Sequence, residues 1–318
     1  MYFAPKIRLL LTIGIVFLFF TACHKDEEPT YPQTDRHDRI PADAVKVTPA
    51  IDLYPPILHS AEYEEPVPLD AEINTAGAED SPFIPADRDE LYFFFTPDAN
   101  IPPEEQVKDD VSGIYVSTRN GNGWSEAKRV WLQDPGKLAL DGAEFVEGNH
   151  MLFVSAREGY TGLHWFSAVF ENNLWSHWEP VNFDPSYQVG ELHIYGNELY
   201  YHSSKSGSIG KTDIWMLENV NGNWQNPVNI TAVNTAEDDC LPYITPDGSE
   251  MWFSRFCDSS PAIYRSKRID GVWQEPELII SRFAGEPTLD RDGNIYFVHH
   301  FYKNDTMIEA DIYVARKK

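Results

Sequence analysis

Five acidic residues recur at corresponding points of the chain: Asp80, Glu144, Glu191, Asp239 and Glu286, each at the start of a short run of strand-forming residues. A second polar series closes the runs that follow, with Arg157, Lys205, Arg255, His299 and His300, and with His193 and His202 close by. Carboxylates in such a set can accept hydrogen bonds from a ligand. Where one keeps its proton and another is ionised, they can also divide acid and base work between them. The groups differ from one repeat to the next, which a purely structural repeat does not require. They predict an asymmetric polar ligand site made from Asp80, Glu144, Arg157, Glu191, His193, Lys205, Arg255, Glu286 and His299. A structural role competes for each residue singly, because acidic residues before strands satisfy backbone amides and basic ones neutralise them.

Other chemistries are missing from the pattern. There is no Gly-rich phosphate loop and no nucleophile elbow, and the ten histidines form no His-x-x-x-His pair. His299 and His300 are neighbours on a predicted strand, so they face opposite sides and do not share one metal. Asp290-Arg291-Asp292-Gly293-Asn294 has the composition of a calcium loop, but it lies where a hairpin turn is required and lacks the distal Glu. No metal and no cofactor are expected. Cys240 and Cys257 flank the Thr245-Pro246-Asp247-Gly248 turn and are candidates for a disulfide, with no further ligand nearby to make them a metal pair.

The elements that must position these residues are repeats. Trp124, Trp175, Trp224 and Trp273 each follow a turn rich in Gly or Asn, at spacings of 51, 49 and 49 residues. Before each Trp lie three aromatic or β-branched runs, exemplified by Asp239 to Ile244, Met251 to Arg255 and Ala262 to Arg265. Such runs, joined by tight turns, read as antiparallel hairpins, and four strands at this period make one blade of a β-propeller. The prediction is an all-β, five-bladed propeller of four-stranded antiparallel blades over residues 57–318. The fifth repeat ends at Ala315 without a fourth strand. Tyr63-Glu64-Glu65-Pro66-Val67 has the shape of the Trp-x-x-Pro-Val segment, and 73–80 echoes 233–239. The N-terminal strand is therefore expected to complete the C-terminal blade, which removes open sheet edges.

The Asp213-Ile214-Trp215 run, the Pro246-Asp247-Gly248 turn before Met251-Trp252-Phe253-Ser254, and Asn234-Thr235-Ala236-Glu237-Asp238-Asp239 resemble the WD-like propeller repeats of TolB-type proteins. They are also similar to those of Bacteroidetes outer-membrane lipoproteins. The resemblance covers about residues 60–318 and implies fold more than function. Five-bladed propellers of the arabinanase and invertase kind carry acidic residues on first strands, and Asp80, Glu144 and Glu191 occupy similar places. That likeness implies a glycoside hydrolase as the alternative to a binding protein. Asp80-Ser81-Pro82-Phe83 matches the first acidic motif of those families only loosely.

The N-terminus sets the compartment. Lys6 and Arg8 precede an apolar run from Leu9 to Phe20, and Phe20-Thr21-Ala22-Cys23 resembles a lipobox. This implies a signal peptide over 1–22, acylation of Cys23, and a flexible tether over 23–56 in which no chemistry is expected. Lys25-Asp26-Glu27-Glu28 resembles the surface-export signal of Bacteroidetes lipoproteins, so the expected location is the outer membrane, on the cell surface, with the periplasmic face as the alternative. The formal charge of −25 argues against nucleic acid and against direct docking on anionic lipid. Removing 1–22 makes it more negative still, since Lys6 and Arg8 leave and no acid does. The expected partners are the membrane, through lipid only, and a glycan or a protein or peptide ligand; Tyr160, Trp165 and Tyr302 are candidate stacking faces.

Overall fold

The computed structural model describes residues 30–32, 34–257 and 260–318. The compact unit spans Tyr31–Lys318. The proposed signal and Cys23 lie outside the described residues. Among the described residues no helix is long and apolar enough to cross a membrane.

The unit is all-β and built from antiparallel sheets of four strands in sequential order. The first group comprises Ala78–Phe83, Glu90–Thr96 and Gly113–Asn120, with its outer edge split into Gly123–Trp124 and Lys128–Arg129. The second runs Ala139–Glu147, His150–Arg157, His164–Glu171 and Leu174–Pro180, and the third Leu192–Tyr195, Glu198–Ser203, Asp213–Val220 and Asn223–Asn229. The fourth runs Asp239–Ile244, Glu250–Cys257 and Ser260–Ile269, followed by Val272–Trp273 and Glu277–Ser281. The last holds Ala284–Leu289, Ile295–Lys303 and Thr306–Ala315. Its outer strand is supplied by Val67–Pro68, which pairs antiparallel with Val314 and Tyr313.

Apolar side chains alternate outward from these strands into five main clusters, each lying between consecutive groups. One holds Phe93, Phe95, Tyr115 and Trp124 of the first group together with Tyr296, Ile312 and Val314 of the last. The repeated Trp has the same task at several junctions: Trp124 meets Tyr296 edge-on at 5.9 Å, and Trp273 meets Tyr200 edge-on at 5.9 Å. Tyr63 takes that place against Trp252, edge-on at 6.1 Å. Edge-to-face packing of this kind adds to the burial of the rings.

The repeated Asn-Thr-Ala segment links neighbours. Asn234 pairs through both ends of its amide with the backbone of Ile214, and Asn74 does the same with Ile312. Thr235 then donates to Asp239, and Thr75 to Glu79.

The described part of the expected flexible tether, Tyr31 and residues 34–56, docks as a strap. Tyr31 stacks on Trp131 at 5.0 Å and donates to the Gln133 carbonyl. Arg36, buried, reaches Glu79 at 3.4 Å and donates to the Ile73 carbonyl at 2.9 Å. Lys46 pairs with Glu309 and Asp311, and Asp52 with His299 at 2.9 Å. These partners are buried carboxyl groups and a buried imidazole, and the strap supplies their polar partners. Composition carries no sign of this, since the segment's Pro, Asp and Thr content is that of a linker.

Candidate functional site

Four of the five first strands are irregular. Pairing slips between Asp80 and Phe83, Gly142 and Phe145, Cys240 and Tyr243, and Gly285 and Thr288. At each slip one residue takes a left-handed backbone: Ser81 at φ 50°, Ala143 at 53°, Leu241 at 58° and Glu286 at 55°. Such φ values are uncommon for residues other than Gly, and a bulge of this kind re-aims side chains. The five first strands converge here on one cavity of about 60 Å³, whose lining includes Ser81, Phe83, Glu144, Glu191, His193, Tyr243 and Glu286.

Its carboxyl groups are unevenly ionised. Glu144 is 6% exposed, and neither of its carboxylate oxygens has a hydrogen-bond partner. Burial first, and then the charge of Glu191, push its pKa up to about 8. Burial and Asp80 raise Glu191 to about 7. Glu286 is pushed well above the usual carboxylate range by burial, Asp80 and Glu191. Asp80 goes the other way: burial opposes its ionisation, but neighbouring His300 and the Ser81 amide, which donates at 2.9 Å, outweigh it. The site therefore holds proton-bearing carboxyls beside an ionised one.

His193 lies among Phe83, Phe145 and Tyr243, with ring centroids at 5.9, 5.0 and 4.8 Å. Burial lowers its pKa to about 3, so it is neutral and its Nδ1 faces the Ile244 amide at 3.4 Å. His202, lowered by burial to about 4, faces the Leu241 amide in the same way.

Of the residues singled out in the sequence, Asp80, Glu144, Glu191, His193 and Glu286 come together at this cavity or directly beside it. The others are engaged outside its lining. Arg157 is bonded to Asp141 at 2.8 Å, and Arg255 to Asp239 at 2.5 Å, each tying the end of a second strand to the start of the first. Lys205 sits 3.7 Å from the centre of the Trp215 ring, and His299 is held by Asp52. Trp165 is buried in a strand and donates to the Val189 carbonyl, while Tyr160 is exposed. Cys240 is a free, buried thiol, which counts against the candidate disulfide with Cys257. It is opposite Ser254, three residues along the strand from Cys257, and three residues of strand span about 10 Å, beyond disulfide reach. Sequence reasoning missed the bulges and the strap residues Arg36, Lys46 and Asp52.

No protein-family profile matches the sequence, and no curated protein matches it. Among solved structures, the chain is similar to TolB from Acinetobacter baumannii, at 11% identity and a TM-score of 0.47, over 78% of this chain and 56% of that one. It therefore spans about half the length of that TolB chain. An endo-arabinase from Bacteroides thetaiotaomicron is similar at 17% identity and a TM-score of 0.43, over 73% of this chain and 92% of that one. A gluconolactonase from Xanthomonas campestris is similar at 10% identity and a TM-score of 0.46, over 83% and 95%.

Proposed function

We propose that this protein is a membrane-anchored lipoprotein, exposed on the cell surface, whose five-bladed β-propeller binds a glycan or peptide on its polar channel face. The observation that carries the reading is the convergence of five first strands, four of them bulged, on one cavity containing a buried carboxyl without a partner, Glu144. A buried polar group left unpaired costs stability, and a ligand donor removes that cost. Support for closure of the ring by Val67–Pro68 comes from the Asn74 and Tyr63 contacts, which repeat at the N-to-C junction what Asn234 and Trp273 do elsewhere.

A cavity of about 60 Å³ holds a few waters, each needing about 10–15 Å³ of such space. The ligand therefore inserts a small polar group and lays the rest across the mouth. Glycan and peptide arrays on the purified protein test this: Glu191→Gln should weaken a hit at least tenfold with little change in melting temperature. Unchanged affinity would overturn the channel reading.

The anchor is tested by Cys23→Ala, which should release the protein from the membrane fraction, and by protease shaving of intact cells, which reports the leaflet.

The split ionisation of Glu144 and Asp80 favours a second reading, glycoside hydrolysis, which needs a protonated carboxyl and an ionised one. Turnover of a bound glycan that is lost in Glu144→Gln would distinguish it from binding alone.

A further inference from the structure

His300 and two of the acidic residues make a smaller constellation beside the cavity. One carboxylate oxygen each from Asp80 and Glu286 and one ring nitrogen of His300 all lie within 4.8 Å of one another. The three residues come from the first strand of the first group and from the first and second strands of the last, so they meet where the two ends of the repeat array adjoin. His300 and His299 face opposite sides of their strand, the first toward Asp80 and the second toward Asp52.

The spacing suits a shared ion better than a hydrogen bond. His300 Nε2 is 3.6 Å from Asp80 Oδ1, long for a hydrogen bond. Two ligands each about 2.1 Å from one tetrahedral ion stand about 3.4 Å apart. Both acidic residues are held in place: the Ser81 amide donates to the Asp80 carboxylate, and the Glu286 amide donates to Ser254 Oγ at 2.8 Å. Glu286 Oε2 is buried with no hydrogen-bond partner. A second observation is independent of the three residues: Glu144, more than nine-tenths buried and with both oxygens unpartnered, lines the same cavity as Glu286. At the constellation itself the unpaired, buried Glu286 Oε2 is an oxygen that an ion shared with Asp80 and His300 would satisfy, the ion taking the place of the carboxyl proton.

We propose that Asp80, Glu286 and His300 hold a divalent transition-metal ion of the zinc or manganese kind, with an open coordination position toward the channel cavity. An imidazole with two carboxylates suits these ions. Calcium takes six to eight oxygen ligands, and magnesium keeps most of its water. No metal-ligand spacing is visible in the sequence because Asp80 and His300 are 220 residues apart and are joined only by the fold. The ion site stands whatever organic ligand the channel takes, and failure of either reading leaves the other intact.

Calorimetric titration of the chelator-stripped, full-length protein with zinc, manganese, calcium and magnesium chlorides tests the site. One equivalent of zinc or manganese should bind at least tenfold more tightly than calcium or magnesium. His300→Ala and Glu286→Gln should each weaken that binding at least tenfold, with little change in the melting temperature of the metal-free protein. No binding, or unchanged binding in both variants, overturns the proposal. Should the variants fail to fold, X-ray absorption on the zinc-loaded wild type decides: one nitrogen and two carboxylate oxygens at about 2.0–2.2 Å are expected. A shell containing sulfur or several imidazoles refutes it.

Discussion

Glu144 is the residue whose behaviour separates a ligand-ready cavity from a merely acidic one. Its carboxyl is raised from the ordinary 4.5 to about 8, chiefly by burial. Below the ordinary value both folded and unfolded chains carry the proton, and the residue contributes nothing to pH dependence. Between there and about pH 8 the unfolded chain releases the proton while the folded one keeps it, so stability falls as pH rises. Across that window each pH unit costs the fold about 1.4 kcal/mol. Glu144→Gln should therefore leave stability near pH 4 almost unchanged and raise it by a few kcal/mol near pH 9. Urea unfolding at the two pH values checks this, and an equal difference at both would show that Glu144 is not held protonated.

The same scale shows what residue types alone cannot reveal. Asp239 and Arg255 look, in sequence, like Glu191 and Lys205. In the structure the first two are bonded to each other at 2.5 Å and are fully committed to the fold. The acids at or beside the cavity arrive at different registers: Asp80 one residue before its bulge, Glu286 on it, and Glu144 one residue after. Those offsets depend on left-handed residues such as Ala143 and Leu241, which carry no Gly to announce them.

At the scale of elements, the Trp period and the Asn-Thr-Ala repeat were legible because each recurs with one physical task, packing against or pairing with the neighbouring group. The strap was not, because Arg36 and Lys46 acquire their meaning only from carboxylates far away in sequence. Arg36 contacts Glu79, which is 0% exposed, and its guanidinium lies over Phe93, Phe95 and Tyr115 at 5.5–5.7 Å. Removing one member of a buried ion pair strands the other, at a cost of about 3–5 kcal/mol. Arg36→Ala should lose about that much, and adding Glu79→Gln should recover part of it. A melting temperature unaffected by Arg36→Ala would return the segment to the status of a linker.

At the scale of the whole molecule, stability among the described residues is distributed over five main clusters between groups rather than one central core. Each group depends on both neighbours, and the last depends on residues from the start of the chain. Deleting through Asp70 removes Val67–Pro68 and Tyr63 and bares the strand Thr306–Ala315. An unpaired edge of that length templates association. The truncated protein should melt lower than one deleted only through Pro56, and should elute as higher-order species in size-exclusion chromatography. Equal melting temperatures and monodisperse elution for both would remove the case for N-terminal closure.

The docked strap also governs reach. With lipid at Cys23, as proposed, eight residues lead to Tyr31, which among the described residues is the first held against the body, by Trp131. Fully extended, they span at most about 28 Å, whereas a free chain from Cys23 to Pro56 would span about 115 Å. With that anchor the docked strap would reel in most of the leash. The headroom left would be less than the roughly 50 Å diameter of a body this size. A ligand would then have to come to the membrane, because a protein tied so closely could not search far from it.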